Sequence, residues 1–178
     1  MHENIAEVLI SREAVQEKVQ QLGEQLGRDY GDKNPLIICV LKGALIFVSD
    51  LIRAMDCLLS VDFMAVSSYG SSTKSSGAVQ ILKDLETGIE GRHVIIVEDI
   101  VDTGLTLSYL RNNLLSREPA SLTICSLLDK PSRRELDIKP DYCGFVIPDK
   151  FVVGYGLDFD QQYRNLPYIG ILKPEAYM

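Results

Sequence analysis

The sequence predicts an α/β fold: a mainly parallel sheet flanked by helices, with a small hood formed by the chain ends. Continuous aliphatic stretches such as PLIICVL, HVIIVE and SLTICSLL lack the alternation of a half-exposed strand, as parallel strands buried on both faces do. Segments of helical periodicity stand between them. The short extended pieces that finish the chain do not fit that alternation, and they belong to the hood together with the N-terminal segment. This reading makes residues 1–178 one domain, with a core over roughly 35–148 and a hood from the N-terminal segment and roughly 149–178.

The elements follow in order. A short apolar segment opens the chain at IAEVLI. Ser11 is placed to cap a helix whose Val15, Val19, Leu22 and Leu26 recur at helical spacing, with Gly31 to close it. PLIICVL is a strand that runs straight into Lys42-Gly43. ALIFVSDLIRAM reads as a helix with Leu45, Val48, Leu51, Ile52 and Met55 on one side, and VDFMAVSS as the next strand. YGSSTKSSG, residues 69–77, has the Gly/Ser composition of a mobile loop. AVQILK and HVIIVE are further strands. Leu107, Leu110, Leu114 and Leu115 give the helix after them its apolar face. SLTICSLL is a buried strand ending at Asp129-Lys130-Pro131, and YCGFVI, FVVGYG and YIGIL are the closing extended pieces.

Composition narrows the function. With 46% hydrophobic and 24% charged residues the chain reads as an ordinary soluble globular protein. A net charge of −7, from 25 acidic and 18 basic residues, argues against a general nucleic-acid binder. It leaves room for a phosphorylated substrate, which needs only a few local cations. Cys39, Cys57, Cys125 and Cys143 form no CxxC pair and read as free thiols rather than a zinc site. MHENIAEVLISREAV lacks a basic start followed by an apolar core, and no apolar run approaches the ~20 residues of a membrane span. A cytoplasmic protein with no membrane association is therefore expected. His2 and His93 are the two histidines, so a histidine-centred mechanism has few candidates.

The chemistry concentrates in HVIIVEDIVDTGLTL, residues 93–107. Ligands of open α/β sheets sit beyond the carboxyl ends of the strands. There Asp102, Thr103, Gly104, Leu105 and Thr106 form a strand-to-helix turn. Such a turn offers backbone N–H groups, two hydroxyls and a positive helix end to a phosphate. Carboxylates repel phosphate, so Glu98 and Asp99 need another purpose. Hydrogen bonds from sugar hydroxyls, or a share in holding Mg²⁺, supply one. A single acid at this place would read as a solvated charge or a cap; the grouping favours function.

VIIVEDIVDTGLTL closely resembles the phosphoribosyl-pyrophosphate (PRPP) motif of type I phosphoribosyltransferases. LKG at 41–43, SSYG at 67–70, LLDKPSRR at 127–134 and FVVGYGLDFDQQYRNLPYIGIL at 151–172 look like the remaining signatures of the hypoxanthine-guanine branch, in the family's order. The resemblance implies the type I phosphoribosyltransferase fold. It implies a reaction that joins hypoxanthine or guanine to the ribose of PRPP, releasing pyrophosphate and giving IMP or GMP in purine salvage. Mg²⁺ as cofactor and a homodimer or homotetramer are implied as well.

Site roles carry over residue by residue. The turn Asp102–Thr106 holds the 5′-phosphate, and Asp102 also exchanges a proton with N7 of the purine. Glu98 and Asp99 bind the ribose hydroxyls and support magnesium. Lys42, Gly43 and Arg164 match the pyrophosphate site. Lys130 matches the base-selecting lysine; an ammonium donates to O6 but cannot accept from the 6-amino group of adenine. Phe151 matches the aromatic that stacks on the purine, Val152 meets the base through its main chain, and Asp158 is the acid near the base and the second metal. Ser68 and Tyr69 begin a flexible loop that closes over the reacting centre. The Leu41–Lys42 peptide is expected in the cis form. Taken singly, Lys42, Arg164, Lys130 and Asp158 would pass for turn or surface charges, Phe151 for core and Asp102 for a helix cap.

Three other readings stand beside this one. A PRPP-binding regulator of nucleic acid would want a basic helix or an appended binding domain, and the base-site signatures at Lys130 and Phe151 disfavour it. A dinucleotide-binding domain would want G-x-G-x-x-G after a strand, which is absent. A phosphoribosyltransferase for another base, such as xanthine, is the nearest alternative.

Overall fold

The computed structural model describes residues 2–68 and 79–177. Its strands and helices run β1 (Ile5–Ile10), α1 (Arg12–Tyr30), β2 (Leu36–Leu41), α2 (Leu45–Ala54), β3 (Ser60–Ser68), β4 (Val79–Lys83), β5 (His93–Val101), α3 (Leu105–Leu115), β6 (Ser121–Asp129), β7 (Tyr142–Val146), β8 (Val152–Val153) and β9 (Ile169–Leu172). The main sheet has the order β4-β3-β2-β5-β6-β7. β3, β2, β5, β6 and β7 are parallel, and β4 is an antiparallel edge.

The continuous apolar strands are explained by burial on both faces. On β2, Ile37 and Cys39 join the layer under α1 and α2, whereas Leu36, Ile38 and Val40 join the layer under α3. β5 divides likewise, Ile95 and Val97 to one side and Val94 and Ile96 to the other. Each side chain on such a strand removes apolar surface from water, worth roughly 1.5–3 kcal/mol for a full-sized aliphatic.

Ser11 caps α1 as expected, its Oγ accepting from the Ala14 N–H at 3.2 Å. Two helix faces differ from the periodicity reading. In α2 the buried stripe is Phe47, Val48 and Leu51, and Leu45 is 47% exposed. In α3, Leu107, Leu110 and Leu114 are buried while Leu115 is 41% exposed. Both exceptions lie one residue off a stripe set by the neighbouring sheet, which sequence spacing cannot distinguish when apolar residues are adjacent.

The chain ends meet in an antiparallel sheet of order β1-β9-β8, with Ile5 opposite Leu172 and Val152 opposite Ile171. This is the hood. Tyr155, in the segment after β8, donates its hydroxyl to Asp50 of α2 at 2.5 Å and ties the hood to the main layer. Parallel pairing sets the carboxyl ends of β2, β5 and β6 side by side on the edge below the hood. No helix among the described residues is long and apolar enough to cross a membrane.

Candidate active site

β5 runs past the acidic pair, through Ile100 and Val101, which pair with Leu128 and Asp129 of β6. Glu98 and Asp99 are therefore inside the strand rather than at its tip. They line a cleft of about 220 Å³ together with Asp102, Thr103, Gly104 and Thr106. Glu98 is buried, and burial first, then the neighbouring Asp99 charge, holds its carboxyl well above the usual range. Burial also lifts Asp99, to about 6. The Ile100 N–H at 2.7 Å and the Arg164 charge pull the other way. Among the described residues neither acid has an ion-pair partner. Adjacent carboxylates without a cation, one buried and one half-buried, are costly, and hydroxyl donors or a hard cation such as Mg²⁺ suit this all-oxygen donor set.

Beyond Val101 the chain turns. Gly104 adopts φ +85°, a left-handed conformation that favours glycine, and a Cβ there would sit 2.6 Å from Ile138 Cγ2. Gly104, not Asp102, occupies the N-cap position of α3, which removes the helix-cap role left open for Asp102. Leu105 opens the helix, and its N–H makes only a long contact to Thr103 Oγ1 at 3.4 Å. First-turn N–H groups have no intrahelical partner, so the turn presents donors to an anion at the positive helix end.

The back of the turn is held by Arg134. Its Nε donates to the Asp102 carbonyl at 3.0 Å, and its other nitrogens bind the Ile138 carbonyl and the Asp129 carboxylate. The Glu135 N–H adds a bond to the Thr103 carbonyl at 2.9 Å. The Asp102 side chain lines the cleft. Its Oδ1 is covered and has no aligned hydrogen-bond donor among the described residues, although Arg133 Nε lies 3.2 Å away.

Lys130 is joined to this region through its backbone, its N–H donating to the Val101 carbonyl at 2.9 Å. Its side chain is only 7% exposed. Nζ donates to the Lys150 carbonyl at 2.9 Å and lies 3.8 Å from Asp149. Lys150 leads into Phe151, whose ring is half open, and Val152, which is buried in β8.

On the β2 side the Leu41–Lys42 peptide is cis, in agreement with the expectation. Gly43 faces Asp99 so closely that a Cβ would fall 1.7 Å from its Oδ2. Lys42 Nζ donates to Gln161 Oε1 at 3.0 Å, and Arg164 Nη2 approaches the same oxygen at 3.4 Å. Arg164 also pairs with Asp158 at 2.9 Å and donates to the Gly156 carbonyl at 2.7 Å. Lys42, Arg164 and Asp158 thus form one linked group, while Glu98 and Asp99 form another. Among the described residues no three acids, histidines or cysteines make a single metal cluster. Ser68 ends β3, and Tyr69 with the rest of the expected flexible loop lies outside the described residues.

Sequence reasoning missed Arg134, Gln161 and Tyr177, the last of which stacks on Phe151. Arg134 lies in a quoted motif, but nothing in the doublet Arg133-Arg134 tells which one faces inward. Gln161 contacts Lys42 across 119 positions, a separation that leaves no local signal.

Comparison with known proteins agrees with this geometry. The phosphoribosyl transferase domain profile matches residues 7–160. A hypoxanthine-guanine phosphoribosyltransferase of Bacillus subtilis is 58% identical over 177 residues, covering 99% of this chain and 98% of that protein. Its counterpart from Lactococcus lactis is 53% identical over 173 residues, covering 97% of this chain and 94% of that protein. The crystal structure of a hypoxanthine phosphoribosyltransferase from Staphylococcus aureus superposes with a TM-score of 0.96 at 52% identity, over 100% of this chain and 97% of that one. This chain belongs to the hypoxanthine-guanine phosphoribosyltransferase family.

Proposed function

We propose that this protein transfers the 5-phosphoribosyl group of PRPP to hypoxanthine or guanine, giving IMP or GMP and pyrophosphate. The observation that carries the reading is the cleft in which the buried Glu98 and the half-buried Asp99 run directly into the Asp102–Thr106 turn, beside the ends of β2 and β6. A sugar phosphate with two hydroxyls matches it: phosphate on the turn amides, hydroxyls on the acids.

In this reading the bond from the anomeric carbon to pyrophosphate breaks as the bond to the purine nitrogen forms. The electron pair leaves with the pyrophosphate. Lys42, the Gly43 backbone and Arg164 receive that charge; to do so the two cations exchange Gln161 and Asp158 for phosphate oxygens. Asp102 accepts the N7 proton of the incoming base, a role within reach of a carboxylate that lines the cleft without an aligned donor. The Lys130 ammonium donates to O6, Phe151 stacks on the ring and the Val152 main chain meets its edge. Glu98 and Asp99 on one side and Asp158 on the other would hold Mg²⁺, which when bound offsets the charge of the pyrophosphate. Ser68 and Tyr69 lead into the loop that shields the reacting carbon from water.

The same reading makes the chain one phosphoribosyltransferase domain that works in the cytoplasm as a homodimer or homotetramer. Its partners are PRPP and purines rather than nucleic acid or membrane. Incubating the purified protein with PRPP, Mg²⁺ and hypoxanthine tests it. One pyrophosphate should appear per IMP, and a chelator should stop the reaction. PRPP binding without turnover of either base would identify a PRPP-binding regulator instead.

A further inference from the structure

Phe151 is an odd platform for a flat ligand. Its carbonyl is fixed by the Leu172 N–H at 3.0 Å, but the residue is 40% exposed, and backbone pairing does not set the ring plane. Two other aromatics do. Tyr177 stacks on one face, with centroids 4.9 Å apart and planes inclined by 23°. Phe159 meets Phe151 edge-on at 5.7 Å and 86°, and Tyr177 at 6.3 Å and 64°. Offset stacks and edge contacts are the two favourable geometries for aromatic pairs.

Tyr177 is brought there by the C-terminal turn Pro174–Ala176, closed by the Tyr177 N–H to the Pro174 carbonyl at 3.1 Å. The turn is anchored by the Lys173 N–H to the Asn4 carbonyl at 2.9 Å. Tyr177 is itself 39% exposed, so the stack leaves ring surface open instead of sealing a core. With one face taken by Tyr177, a purine stacking on Phe151 has the opposite face.

We propose that Tyr177 is a positioning residue for the purine: it holds the Phe151 ring in the plane against which the base stacks, so that the C-terminal turn contributes to affinity for the base and not for PRPP. The proposal rests on the reading of Phe151 as the purine platform. A residue that merely stabilised the hood would affect both substrates together. One that fixes the platform affects the base alone.

The test is steady-state kinetics of Tyr177→Ala, Tyr177→Phe, Phe151→Leu and the double variant Phe151→Leu/Tyr177→Ala, with guanine and PRPP varied in turn. Tyr177→Ala should raise KM for guanine by about 2–10-fold, the worth of one aromatic pair, with KM for PRPP unchanged. Tyr177→Phe keeps the stack and should restore the low value. In the Phe151→Leu background, Tyr177→Ala should add nothing. A raised guanine KM in Phe151→Leu with none in Tyr177→Ala overturns this inference and leaves the platform in place. An unchanged guanine KM in Phe151→Leu overturns the platform and the inference together. A lower guanine KM in Tyr177→Ala would mean that Tyr177 covers the face the base needs, and equal rises for guanine and PRPP would mean a structural role; either result overturns it.

Discussion

Replacing Lys130 by Gln should change which purines the site accepts. Lys130 is nearly sealed from water, at 6% exposure, and its ammonium keeps one carbonyl acceptor, Lys150 O at 2.9 Å, with Asp149 at 3.8 Å. An ammonium has three donors and no acceptor. A 6-oxopurine completes its shell, whereas the 6-amino group of adenine sets donor against donor and leaves both unpaired. A hydrogen bond to a charged group is worth roughly 1.5–3 kcal/mol net. Its loss should lower kcat/KM for hypoxanthine and guanine by about 10–100-fold. A glutamine amide also accepts, so adenine should lose less or gain, and discrimination should narrow. The assay is kcat/KM for the three bases at saturating PRPP, with thermal unfolding as a separate readout of the buried charge. If the three values keep their wild-type ratios and magnitudes, Lys130 serves only to hold the Lys150 carbonyl, and the reasoning about O6 fails.

Asp102→Asn keeps the size of the side chain but loses the proton-accepting carboxylate; turnover should fall by roughly 10²–10⁴-fold. PRPP affinity, measured by calorimetry, should change far less, because the turn amides and Arg134 remain. Gly43→Ala would place a Cβ 1.7 Å from Asp99 Oδ2, so the loop or the acid must move. Chemical denaturation should show a destabilisation of about 1–3 kcal/mol, and KM for PRPP should rise. The thiols give a structural check. Burial, then the Glu98 and Asp99 charges, pushes Cys39 up to about 12, and burial raises Cys125 too. At pH 8 a thiol reagent should reach Cys57 and Cys143 slowly in the native protein and all four cysteines in denaturant.

The parts of the fold legible in the sequence are those governed by local pattern. Double-sided burial wrote PLIICVL and HVIIVE as unbroken aliphatic runs, and the Ser11 cap needed only its neighbours. The acidic strand and the turn proposed to bind phosphate stand out in the sequence as one lining of the cleft because a single short segment holds almost all of it, from Glu98 to Thr106. What escaped was set by tertiary geometry. Leu45 and Leu115 look as buried as the residues beside them until the sheet chooses a face. The cap position passed from Asp102 to Gly104 because the left-handed turn lies two residues further on. The clamp of Arg134 and the bridge from Lys42 to Gln161 join segments remote in the chain, where single-sequence patterns carry no information.

The central claim is that this site joins PRPP to a 6-oxopurine. The most direct test is kcat/KM for hypoxanthine, guanine, xanthine and adenine, each with PRPP and Mg²⁺ under identical conditions. The account predicts efficient formation of IMP and GMP, with adenine disfavoured on the order of 10⁴-fold, as expected where a buried donor would be left unpaired. Comparable turnover of adenine and hypoxanthine, or no turnover of hypoxanthine and guanine, would contradict it.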